Sequence, residues 1–210
     1  MKEFAQSKGP FTEWKGNEEK RAKFLATLAE IIRAHVDGGL ACIVEFSTFE
    51  KVNSRYVLDE YVGVPYSYAG RGCVAHAHKY LRGKHRGTLP EINYVFDDGD
   101  EGRGELIRVL VRDGYSAPIF KPSRDRTAED GTLVRGIVQL QSADFAAYEI
   151  RKAFRDDPDE VWPLEKYRKS LRALGSIDSH WGRFTERDML SLCRKRQIPQ
   201  RNKPGWNGPA

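Results

Sequence analysis

Long hydrophobic runs are missing from this sequence. No stretch approaches the roughly 20 apolar residues that a membrane-spanning helix needs, so a spanning segment is not expected. The opening MKEFAQSKGPF lacks the apolar core of a secretory leader, which points to the cytoplasm. Cysteine is scarce: Cys42, Cys73 and Cys193 are odd in number and not closely paired along the chain. That excludes a disulfide framework and suits free thiols in a reducing compartment. Internal repeats and low-complexity tracts are absent. So are several catalytic signatures: there is no Gly-x-Ser-x-Gly elbow and no dinucleotide fingerprint. Glu105 follows Gly104 where a phosphate loop needs Lys, and Val109 stands where a calcium loop counted from Asp98 needs Glu. A small-molecule enzyme of the doubly wound class is therefore the weakest reading.

What is present is enough for a folded protein. The chain has 210 residues, 40% hydrophobic and 31% charged, with four Trp, nine Tyr and ten Phe, which excludes disorder and coiled coil. Its net charge of +5 is unevenly placed. Residues 183–210 carry seven Lys and Arg against Glu186 and Asp188, which accounts for the whole excess. The run Arg194-Lys195-Arg196, followed by Pro199 and Pro204, is the candidate nucleic-acid contact: it can meet phosphates without ordering itself, with an affinity that falls with salt. The alternative is a solubilising tail.

Periodicity predicts a helix over Glu18 to Val36, capped by Asn17, with Ala22, Leu25, Ala29, Ile32 and Val36 on one stripe. LACIVEF, Leu40 to Phe46, reads as a buried strand. Ser47 to Lys84 reads as two helices broken near Gly63-Val64-Pro65. Strands follow over Glu91 to Asp98 and Ala117 to Phe120, with a helix from Arg103 to Asp113 between them and a long loop from Lys121 to Arg135. A last helix, Val138 to Phe154, carries Ala143, Ala146, Ala147, Ile150, Ala153 and Phe154 on one face, whose alanines suit close packing on a sheet. Asp156-Asp157-Pro158 marks the expected boundary between a core of residues 1–157 and a basic helical extension of 158–210. Three strands are few for an α/β sheet and would leave an edge to cover.

Two carboxylate features carry candidate chemistry. Asp97-Asp98-Gly99-Asp100-Glu101 falls between a strand and a helix, where α/β folds place their sites, and a hard cation such as Mg²⁺ or Mn²⁺ would relieve its mutual repulsion. The plainer alternative is a solvated turn capping the next helix. Asp144 lies at the margin of the last helix's apolar stripe, flanked one turn away by Gln141 and Tyr148, where a carboxylate needs a partner. That partner is either a metal or simply Arg151 or Tyr148. Were Asp144 to meet Asp97 or Asp98, the group would suit metal-dependent phosphoryl transfer. Cys73, His76, His78 and His85 are zinc-ligand types, but their spacing matches no common zinc pattern.

Three segments in this order, Met1-Lys2-Glu3-Phe4-Ala5, Tyr94-Val95-Phe96-Asp97-Asp98-Gly99-Asp100 and Leu140 to Glu149 (LQSADFAAYE), resemble the bacterial family catalogued as domain of unknown function 3800. The resemblance covers about residues 1–154 and is most specific at Leu-Gln-x-Ala-Asp. It implies an α/β fold of the ribonuclease H-like kind, a mixed sheet flanked by helices, with Asp97 and Asp144 as active-site carboxylates. The family's opening strand, ending in an Asp-Glu-Ser-Gly-like motif, has no counterpart here. Met1 aligns with a methionine inside the family pattern, so the expectation is a member lacking its first strands. Its open sheet edge would then be covered by a partner or a second copy. The readings are thus a metal-dependent nuclease holding Mg²⁺ or Mn²⁺ on Asp97, Asp98, Asp100 and Asp144, or a non-catalytic nucleic-acid or protein binding module using the basic tail.

Overall fold

The computed structural model describes residues 4, 6–86, 90–99, 101–156, 167, 169–175 and 177–201. It is a mixed α/β protein, mostly helical. After a 3₁₀ turn at Gly9–Trp14 come α1 (Glu18–His35), β1 (Gly39–Val44), α2 (Phe46–Asn53), α3 (Leu58–Val62), α4 (Pro65–Lys84) and β2 (Val95–Asp97). The chain continues through α5 (Arg103–Arg112), β3 (Ile119–Lys121), β4 (Arg126–Thr127), β5 (Leu133–Val134), α6 (Val138–Asp156), α7 (Lys169–Leu174), β6 (Ser179–Phe184) and α8 (Glu186–Lys195). Among the described residues no helix is long and apolar enough to cross a membrane.

The single mixed sheet expected from the sequence is replaced, among the described residues, by three separate strand pairs: β1 with β6, β2 with β3, and β4 with β5. The β2–β3 pair is parallel, with Asp97 opposite Lys121, and the β4–β5 pair is antiparallel. β2 and β3 are three residues each and β4 and β5 only two, too short to carry a broad sheet. The partner of β1 is β6, a strand inside the stretch expected to be a helical extension.

Contacts divide the chain into two units, each built from two stretches of sequence. Unit 1 is Met1–Gly39 with Ser123–His180, and unit 2 is Leu40–Pro122 with Trp181–Ala210. In unit 1, α1 begins as the sequence predicts: the Asn17 side chain accepts from Lys20 N–H at 3.0 Å, and Glu18 and Glu19 occupy the positive first turn. Its Ala29 and Ile32 meet Phe145 of α6 and Leu174 of α7 in one apolar cluster. Helix α6 therefore packs on helices; of the expected stripe Ile150 is buried and Ala146 packs on the cluster, but Ala143 and Ala147 face water and Phe145 and Glu149 take their place. Phe4, Phe11, Trp14 and Phe24 form a second cluster, mostly edge to face.

Unit 2 is organised around α4. Pro65 starts this helix, where its missing N–H costs nothing. The expected pair of helices over Ser47–Lys84 is in fact three, and the break at Gly63-Val64 falls where expected. On one flank of α4, Gly70 lets Leu106 of α5 and Phe96 of β2 come close: a Cβ there would be 3.0 and 3.4 Å from them. On another, Gly72 admits Phe184 of β6 and Cys42 of β1. The main core gathers Phe49 and Val52 of α2, Val57, Leu58 and Val62 at α3, Tyr68 of α4, and Met189, Cys193 and Ile198 at α8. A neighbouring core joins Val74, Tyr94, Leu106 and Leu110. Thr185 and Asp188 make a reciprocal capping box at the start of α8, and Glu186 reaches Lys51 at 2.7 Å and Arg55 at 2.6 Å.

Candidate functional site

The acidic turn lies at the carboxyl ends of the parallel β2–β3 pair. Asp97 ends β2 half-buried, and its Oδ1 accepts the Gly99 N–H at 3.0 Å, the closed loop an aspartate makes at a turn. Asp98 N–H donates to the Lys121 carbonyl at 3.1 Å, extending the pairing by one residue. Gly102 has a φ of 91°, a left-handed conformation that opens α5, and a Cβ there would strike Val64 at 2.7 Å. Asp100 lies outside the described residues. Asp97 and Asp98 belong to unit 2 and Asp144 to unit 1.

Asp144 is exposed on α6, so burial gives its carboxylate no need of a partner. The buried carboxylate of this helix is Glu149, at 1% exposure, whose Oε2 accepts the Ser170 hydroxyl at 2.9 Å. The reason is rotational: Phe145 and Ile150 turn the 149 flank inward and leave 144 in water. No group of three His, Cys, Asp or Glu side chains placed to hold a metal exists among the described residues. Asp97, Asp98 and Asp144 are therefore not part of such a group among the described residues.

The zinc-like residues also point apart. Cys73 faces Cys42, His76 lies against Gly182, and His78 stacks with Tyr94, its Nε2 hydrogen-bonded to the Tyr94 hydroxyl, and meets Tyr115 edge-on at 4.8 Å between ring centres. His85 is the exposed residue that follows α4.

Positive charge is what unit 2 does assemble. Arg194 and Lys195 form the exposed last turn of α8 and Arg196 follows it, so this run is ordered, contrary to the flexible tail expected from its prolines. Met189 and Cys193 fix it by burying the opposite side of the helix. Arg196 lines a cavity of about 280 Å³ with Arg71 and Arg112, whose one acid is Asp113. That acid is already engaged: Arg71 reaches it at 2.5 Å and Arg112 at 3.0 Å. Burial pushes the Asp113 carboxyl up, but the hydrogen bonds and charges of the two arginines outweigh it and hold it below the usual range.

Asp113 also borders a second cavity, of about 510 Å³, lined by His78, Lys79, Arg82 and Tyr115 among others. Burial, then the Arg82 charge, pushes the His78 imidazole down. Lys79, Arg82 and Arg196 have no acidic partner among the described residues. The acidic turn touches α4 near Ser67, which hydrogen-bonds to Gly102, about 16 Å along the helix from His78. This cationic face is invisible in the linear sequence because Arg71, Lys79, Arg82 and Arg112 are scattered between residues 71 and 112; only Arg196 stands in a visible run. Compared with models of protein families, with curated proteins and with solved structures, the chain matches none.

Proposed function

We propose that this protein binds nucleic acid, without base specificity, through the cationic face of unit 2. The observation that carries the reading is the meeting of Arg196 with Arg71 and Arg112 around one carboxylate they already satisfy. Cations in excess of the one carboxylate beside them attract a polyanion, and planar guanidinium groups suit phosphate oxygens. Lys79 and Arg82, on the other side of Asp113, lengthen that surface. A short labelled DNA or RNA strand should bind with a strong salt dependence. Replacing Lys79, Arg82 and Arg196 together by Ala should lower the slope of log K against log salt by about 2, since each single-strand phosphate left unneutralised removes about 0.7. All three are exposed, so the fold should persist; binding with an unchanged slope in that variant overturns the reading.

A second reading, a divalent-metal-dependent nuclease with a ribonuclease H-like core, draws on the resemblance to domain of unknown function 3800 and on the place of Asp97 and Asp98. They sit at the carboxyl ends of a parallel pair and before a helix, the usual position of α/β sites. It predicts strand cleavage that needs Mg²⁺ or Mn²⁺ and disappears in Asp144→Asn. Cleavage unaffected by that substitution argues against it.

A further inference from the structure

Cys42 and Cys73 are 31 positions apart in sequence and on different elements, β1 and α4, yet each is the strongest influence on the other's thiol. The contact has a structural cause: with no side chain at Gly72, the Cys42 sulfur lies only 2.9 Å from where a Cβ would be, against the turn of α4 that carries Cys73. Both are free thiols and both are partly buried, reached by solvent to some extent, whereas Cys193 is buried at 1% exposure. We infer that Cys42 and Cys73 form an oxidisable pair, a disulfide-forming site in unit 2 that reacts with small-molecule disulfides and ties β1 to α4.

The two thiols differ in readiness. The neighbouring Cys42, set against an opposing effect of burial, lowers the Cys73 thiol, and Cys73 together with burial raises Cys42. Cys73 is therefore the attacking thiolate. Its sulfur attacks one sulfur of a disulfide such as oxidised glutathione; the S–S bond of the reagent breaks, and one glutathione thiolate leaves and takes up a proton. Cys42 then gives its proton to solvent and attacks the Cys73 sulfur of the mixed disulfide, displacing the second glutathione thiolate, which is protonated in turn. Two protein thiols are oxidised to one disulfide, and one reagent disulfide is reduced to two thiols. Closing a loop that holds α2 and α3 restricts the unfolded chain, so oxidation should raise the melting temperature, and a dithiol reductant should reverse the rise.

The test uses the whole folded chain. After incubation with oxidised glutathione, remaining thiols are alkylated under denaturing conditions and the protein is digested for mass spectrometry. The expected result is a linked peptide pair containing Cys42 and Cys73, alkyl label on Cys193, and no retained glutathione. In Cys42→Ser the reaction should stop with glutathione on Cys73, a readout that a merely buried thiol would not give. Alkyl label on both Cys42 and Cys73 of the wild type after prolonged oxidation overturns the inference, as does glutathione left on Cys73 or a link through Cys193.

Discussion

Arg71 and Arg112 converge on a carboxylate whose side chain is only 6% exposed, and at that depth an acid without its partners would be costly. Asp113→Asn should therefore destabilise the protein by about 2 kcal/mol at pH 7, the range for a hydrogen bond to a charged group. The pH dependence has a definite sign. Asp113 is held below its ordinary value, so its contribution is full above about pH 4, the value expected in the unfolded chain, and is lost as pH falls through the lower folded value. Urea titrations of the wild type and the variant should differ at pH 7 and converge toward pH 3; a difference that grows on acidification would contradict the assignment. In the sequence Asp113 reads only as the end of a helix, because its partner Arg71 is 42 positions away and lies on a helix with no clear apolar stripe.

At the scale of the element, α4 shows two glycines with opposite roles. A Cβ at Gly72 would be 2.7 Å from the Phe184 ring, and that ring cannot move freely because it stacks on Tyr68 at 4.5 Å. Gly72→Ala should cost about 1–3 kcal/mol through overpacking, which exceeds the roughly 1 kcal/mol that alanine returns to a helix. Gly83 has nothing within 4 Å of its would-be Cβ, so Gly83→Ala should stabilise by about 0.5 kcal/mol, less than mid-helix because it sits in the last turn. Thermal denaturation of the two variants should shift in opposite directions. The extents of the helices with a strong apolar period were legible: α1 and α5 fall within a residue of their predicted ends, and α6 within two. The face of α6 was not, since four alanines look like a core stripe until Phe145 and Ile150 are given larger weight. The β4–β5 hairpin hid in the supposed loop behind Asp130-Gly131, where Asp130 Oδ1 accepts the Thr132 N–H at 2.9 Å and Gly131 takes a φ of 83°.

For the whole molecule, the notable fact is that each unit is made from two separated stretches of chain. The basic segment after residue 182 is part of a core: Met189, Cys193 and Ile198 are 0, 1 and 5% exposed among the side chains of α2, α3 and α4. Removing residues 183–210 is therefore no neutral deletion of charge. Burial losses of about 2–5 kcal/mol for each large side chain reach the entire stability of an ordinary domain. That truncation should abolish the cooperative unfolding of unit 2 by circular dichroism, and point substitutions on the cationic face should leave it intact. A truncated chain that still melts cooperatively would show that α8 is dispensable. Composition and charge runs could not reveal this, because Met189, Leu190, Leu192 and Cys193 are diluted by the charged residues of the same helix.

The pairing of β1 with β6 also sets an order of events in time. About 140 residues separate Gly39 from Ser179, and a ribosome adds about 5–20 residues each second, so a newly made β1 waits roughly 7–30 s for its neighbour. Through that interval the strand GLACIV presents unsatisfied backbone groups beside apolar side chains, the kind of edge that recruits other chains. Nascent protein halted before Ser179 should then be the species that chaperones hold and that aggregates first, and release of β6 from the exit tunnel is the step that ends the exposure.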